Sequence, residues 1–152
     1  MDRNVFISIR GLHHFEDQDG SEREVEMVSP GHYYKRGGKH YVSYVEEAID
    51  ENEESAKALV KLDDEGLTIS RSGFYHNHLF FQEGKRNKSI YETPFGVLEM
   101  GVTTKEMDVD LKEHNFNVKV NFSLDINNYY SGEHKVEIKV QDGKGNNEIR
   151  LS

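Results

Sequence analysis

Two histidines, His76 and His78, stand in the run FYHNHLFF at residues 74–81. On a β-strand, residues i and i+2 leave the same face. The pair would therefore aim two imidazoles in one direction, a geometry with which some barrel proteins hold zinc or iron. Glu83 follows, but the remainder of a metal-barrel pattern breaks down. Ser70 stands where a glycine is needed before the first histidine, and no further histidine comes after Pro94-x-Gly96. A third ligand would have to come from His13, His14, His40, His114 or His134, none of which the spacing places. In a chain with eight histidines one such pair is ordinary, and imidazoles facing solvent or a lumen are the plainer reading. His76 and His78 are thus weak metal candidates, and no cofactor is expected.

Other catalytic chemistries find less support. There is no cysteine to serve as a nucleophile and no Gly-x-Ser-x-Gly elbow. The glycines of QDGKGNN follow the last strand signal and lead into no helix, so they make no phosphate cradle. Whether the chain is an enzyme stays open on these grounds, with a non-enzyme preferred. Arg71 is the sharpest binding candidate. It shares parity with Leu67 and Ile69, so a strand face with two apolar residues then carries a guanidinium. An arginine turned inward needs a carboxylate or a bound anion, because burying it unpaired is too costly. Tyr44 and Glu46 share one face of another strand and could supply that partner; Tyr91 and Thr93 share a face of a third and could add hydroxyls. The alternative is that Arg71, near its strand's end, reaches solvent while its stem lies on the sheet.

The elements that would position these residues are strands. VFISIR (5–10) alternates, EVEMV (24–28) follows, and Pro30-Gly31 allows a bend. In HYYKRGGKHYVSYVE, Gly37-Gly38 can take the positive φ angles of a two-residue hairpin turn, which sets Tyr34 opposite Tyr41 and Lys35 opposite His40. Segment 46–62 is helical in composition. An acidic solvated loop over about 47–55, leading into a strand with Ala58, Val60 and Leu62 on one side, is preferred because DDEG (63–66) then joins it directly to LTISR. Further strand signals are LTISRSG (67–73), FYHNHLFF, SIYET (89–93), VLEMGVTTKEM (97–107), FNVKVNFSLDI (116–126) and EHKVEIKV (133–140). In the penultimate one, Phe116, Val118, Val120, Phe122, Leu124 and Ile126 face one way against Asn117, Lys119, Asn121, Ser123 and Asp125, giving one dry and one wet face. So many short strands without helices imply a closed antiparallel barrel or a sandwich, formed as one domain over residues 1–152. Tyr129-Tyr130 read as edge or loop aromatics.

Composition bounds the partners. With 28 acidic against 19 basic residues, the formal charge is −9, which repels nucleic acid and anionic lipid. The short basic runs KRGGK (35–39) and KRNK (85–88) fall in hairpin turns. No run approaches membrane-spanning length and the N-terminus has no apolar core of a signal peptide, so a cytoplasmic location is the expectation, with which the lack of cysteine agrees.

From Tyr44-x-Glu46 through Ile69-x-Arg71-x-Gly73, Tyr91-x-Thr93-Pro94-x-Gly96 and Val102-x-Thr104, the order and spacing of residues resemble the YwiB-like family of bacterial proteins. The resemblance runs from about residue 3 to 141 and includes the polar strand NFSLDINN with a closing strand after it. It implies a lipocalin-like, calycin-type antiparallel barrel of about eight to ten strands. By common membership of that fold it also implies an interior cavity, but no particular activity. The His76/His78 pair and the long acidic segment after Glu46 are not part of the resemblance. Two functions are preferred, ahead of a metal-dependent enzyme using His76 and His78. One is a barrel binding a small amphipathic or anionic molecule near Tyr44, Glu46, Arg71, Tyr91 and Thr93. The other is a side-chain-filled barrel acting through its strand edges, by which it could also dimerise, or through its acidic loop.

Overall fold

The computed structural model describes residues 2–14, 22–46, 56–72, 77–93, 96–112 and 115–143. These form ten antiparallel strands and no helix: β1 Asp2–His14, β2 Glu22–Arg36, β3 Lys39–Glu46, β4 Ala56–Leu62, β5 Leu67–Ser72, β6 Asn77–Phe81, β7 Arg86–Thr93, β8 Gly96–Leu111, β9 Phe116–Ile126 and β10 Tyr129–Asp142. Their order in the sheet is β6-β5-β4-β3-β2-β1-β10-β9-β8-β7. Every strand but one therefore lies beside its successor in the chain, and the last strand closes onto the first through the β1–β10 ladder. The two strands at the ends of that order, β6 and β7, are joined by residues 82–85, so the sheet has to curl round on itself. Side chains rather than a ladder fasten this seam. Ser89 Oγ donates to the carbonyl of His78, and Asn87 Nδ2 to that of Phe80 at 3.4 Å. The result is a nearly closed up-and-down barrel, consistent with the calycin-like expectation.

Local sequence explains most of the meander. Gly37 and Gly38 have φ of 59° and 77°, the left-handed pair that a tight hairpin turn needs, and Tyr34 stacks on Tyr41 with ring centres 4.8 Å apart. Asn127 and Asn128, at φ 51° and 69°, make the equivalent turn between β9 and β10, which their side-chain chemistry tolerates. The strand reading of 56–62 holds: Ala58, Val60 and Leu62 are buried, and Asp63 Oδ1 accepts from the amides of Glu65 and Gly66 in the turn that follows. Residues 47–55, the acidic loop, lie outside the described residues. One expectation changes. That change is one of extent: Pro30-Gly31, where the sequence allows a bend, sits within the single long strand β2, whose residues 22–30 pair with β1 alone among the described residues. Proline lacks the N–H for a second ladder, so an edge of this kind accommodates it.

Call the end of the barrel with the turns at Gly37-Gly38, Asp63–Gly66 and 82–85 the lower end. There the lumen is filled. Val5, Ile7, Val42, Val60, Leu67, Val118, Ile138 and Val140 are at most 2 % exposed, and Phe81 packs edge-on against Phe122 at 4.9 Å between ring centres. The alternating β9 stripe does face inward, with Phe116, Val118, Val120 and Phe122 buried and Leu124 and Ile126 half-buried towards the upper end.

Candidate ligand-binding site

The upper half of the lumen is open. A cavity of about 1100 Å³ lies there, walled by apolar side chains that include Ile9, Met27, Leu79, Phe81, Phe122 and Val136. Arg71 lines it, on the parity that its alternation with Leu67 and Ile69 dictates. Tyr44 lines it as well and is buried. Register fixes their relation: Tyr44 pairs with Ala58, and Ala58 with Arg71, so the tyrosine and the guanidinium flank the small Ala58 in one row. The row continues to Gly31 on β2 and Asn77 on β6. The Asn77 amide oxygen is buried there with no hydrogen-bond partner among the described residues. Two small residues, Gly31 and Ala58, thus alternate with two large polar ones, which leaves space above the row.

Of the five binding candidates, Tyr44 and Arg71 are brought to one cavity. Glu46 is placed by its backbone pairing with Ala56, at the same upper end as Arg71. Tyr91 and Thr93 are placed by their backbone pairing with Leu98 and Gly96. The side chains of Glu46, Tyr91 and Thr93 lie outside the described part of the structure. Of the histidine pair, His76 lies outside the described residues, and His78 is exposed on the outer wall. Register puts His78 opposite Ser70, whose parity is opposite to that of Ile69 and Arg71, and Ser70 Oγ lies 2.9 Å from His78 Nδ1. Among the described residues no group of three His, Asp or Glu side chains could hold a metal ion.

Two clusters were not singled out beforehand. His134 lines the cavity with its ring stacked on Phe122 at 5.5 Å. Its alternation with Val136, Ile138 and Val140 is the signal that could have found it. At the lower end, Tyr33 Oη and His40 Nδ1 are 2.7 Å apart and both rings lean on Phe116. Burial raises the Tyr33 phenol above its usual value, opposed by the charge of Arg3; burial also lowers His40, assisted by Lys35. Arg3 pairs with Asp142 at 3.1 Å beside them. This polar group stoppers the filled end and leaves the upper half as the candidate site.

An up-and-down antiparallel barrel with an apolar lumen open in its upper half is the class that fold and site define. Residues 7–138 match the family model described as "Domain of unknown function (DUF1934)", and the chain belongs to that family. It is 26% identical over 127 residues to "Uncharacterized beta-barrel protein YwiB" of Bacillus subtilis (strain 168), covering 84% of this chain and 87% of that one. The crystal structure of the ywiB protein from Bacillus subtilis superposes with a TM-score of 0.77 at 25% identity, over 93% of each chain. The family's description names no activity. No helix among the described residues is long and apolar enough to cross a membrane.

Proposed function

We propose that this barrel binds a small amphipathic anion in the upper half of its lumen, without chemical turnover, and that Arg71 meets the ligand's negative group. The observation that carries this is the cavity itself. Its volume of about 1100 Å³ is of the size that small-ligand sites occupy, and its wall is mainly apolar with Arg71 and Tyr44 among its few polar groups. A lumen packed solid by side chains would favour a pure interaction module; here only the lower half is packed. The absence of cysteine suits a reducing compartment, and we place the protein in the cytoplasm.

The test begins with native mass spectrometry of purified protein for a co-purifying small molecule. It continues with titration of two fluorescent probes, anionic anilinonaphthalene sulfonate and neutral phenylnaphthylamine. Both should bind. Arg71→Leu, similar in bulk, should weaken the anion selectively. A charge-assisted hydrogen bond is worth roughly 1.5–3 kcal/mol, so the loss should be about tenfold or more. Equal affinity of both proteins for the anion would remove Arg71 from the site. Failure of either probe to bind the native barrel, with nothing co-purified, would end the ligand-binding reading.

A further inference from the structure

Between β2 and β3 the cavity is bordered by residues of both faces of the sheet. The cavity is lined by Ser29, Gly31 and Tyr44 from the inner face and by Val28, Pro30 and Val45 from the outer one. Register explains the gap. The β2–β3 ladder runs from Arg36↔Lys39 up to Gly31↔Tyr44, and no described residue pairs with β2 on that side beyond it. The first residue beyond the ladder is Pro30, whose ring nitrogen has no hydrogen to extend the pairing. Gly31, the last paired residue, cannot take a side chain without crowding: a Cβ there would come 3.0 Å from the Ser43 carbonyl and 3.2 Å from Val42 Cγ1. Two outward-facing polar groups, His32 and Lys57, also border the opening.

We infer that this gap is a lateral slot through which the ligand enters and leaves, and that the ligand is an unbranched apolar chain with one anionic head. The inference rests on the ligand-binding reading above. A single chain fits between two strands, whereas a rigid polycycle does not. The row Tyr44–Ala58–Arg71 leads from the slot to the cation. Arg71 lies two strand spacings from Tyr44, roughly 10 Å, with only the Ala58 methyl between them. The head reaches the guanidinium along this row, and the chain settles on the apolar wall formed by Ile9, Met27, Phe81 and Phe122.

The chain contains no cysteine, so two introduced thiols have only each other to pair with. Pro30→Cys with Val45→Cys places them across the slot. Tyr34→Cys with Tyr41→Cys places a control pair three rungs inside the ladder, away from the opening and also on the outer face. The probe is parinarate, a linear fluorescent polyene carboxylate, followed by stopped flow. Oxidising the slot pair should slow both its uptake and its release by about tenfold or more while leaving the affinity unchanged, because a closed path raises the barrier in both directions and Kd is the ratio of the two rates. Reduction should restore them, and the oxidised control should exchange as the native protein does. Ser29→Trp, which plugs the slot by bulk, should slow uptake without any cross-link. Unchanged exchange in both the oxidised slot pair and Ser29→Trp would mean entry through the barrel's end and would overturn the slot alone. No parinarate binding to the native protein would instead remove the ligand-binding reading and the slot with it.

Discussion

At the scale of single residues, the two best-defined polar contacts have measurable consequences. Burial disfavours the charged form of His40, with Lys35 adding to the effect, so its folded pKa lies below the ordinary imidazole value of 6.5. A base whose folded pKa is depressed binds more protons when unfolded, so stability is full above the unfolded pKa and declines as pH falls through the folded one. Tyr33 acts at the opposite limb. Its folded pKa is raised above 10.0, so stability from it is present below that pH and lost as pH rises through the folded value. Thermal melts of native protein should therefore show a plateau between these limits. In His40→Gln the acid limb just below pH 6.5 should flatten relative to native, and an unchanged difference curve would exclude His40 as its source. The second contact is on the outer wall. Arg86 holds Asp125 in a two-pronged pair, Nε to Oδ2 at 3.0 Å and Nη2 to Oδ1 at 2.7 Å, directly over Gly101. The hydrogen bond from Arg86 keeps the Asp125 carboxyl below its ordinary pKa. A Cβ on Gly101 would come 2.3 Å from Arg86 Nη2 and 2.4 Å from Asp125 Oδ2. Gly101→Ala should push the flexible ends apart, and a carboxylate NMR titration should find Asp125 moved up to its ordinary range.

At the scale of elements, the turns and seams decide whether ten short strands become one sheet. The β4–β5 turn shows the limit of substitution. Gly66 has φ +156°, and a Cβ there would meet the backbone carbonyl oxygen of Phe81 at 2.1 Å. Backbone cannot swing aside as a lysine tip can. Gly66→Ala should therefore destabilise by roughly 2–4 kcal/mol in denaturant unfolding, in the range for strain at a special conformation combined with overpacking. Gly84→Ala is the control: its φ of +78° adds some strain, but a Cβ there meets nothing within 4 Å, so its cost should be clearly smaller. This turn also closes the barrel. Gly84 N–H donates to the Thr104 carbonyl at 2.9 Å, Thr104 N–H to that of Lys85 at 3.1 Å, and Glu83 accepts from Met107 N–H at 2.8 Å. Placed as Glu83 is, its carboxylate caps a backbone amide on the one-sided stretch of β8.

At the scale of the whole molecule, the lumen is two environments in one barrel. Ile138 sits in the packed half with no exposed surface, while Ile9 lines the cavity and is only partly buried. Truncating a close-packed isoleucine costs about 2–5 kcal/mol, because the vacated volume stays empty. Ile138→Ala should fall in that range, and Ile9→Ala should cost less than half as much, since space already borders its side chain. Equal losses by chemical unfolding would mean that the upper half is collapsed in solution. The same division explains why a binding reading and a filled-barrel reading both had grounds in one chain.

The sequence by itself determined what alternation and turn chemistry can encode locally. Leu67, Ile69 and Arg71 share a face, as do the apolar residues from Phe116 to Ile126, and Gly37-Gly38 set the Tyr34–Tyr41 register, because strand periodicity is a property of neighbouring residues. It also distinguished strand from helix at Ala58–Leu62, since a two-residue period and a following turn outweighed helical composition. Only the tertiary structure decided that β1 closes on β10, that β6 and β7 meet through side chains, and that the β2–β3 ladder stops at Gly31. Those outcomes depend on the sum of registers around the whole ring, which no single segment carries. For the same reason the site was half legible. Arg71 could be assigned its inward face from its own strand, but its row with Ala58 and Tyr44, the cross-strand His134–Phe122 stack and the outward position of His78 follow from which strands stand beside each other.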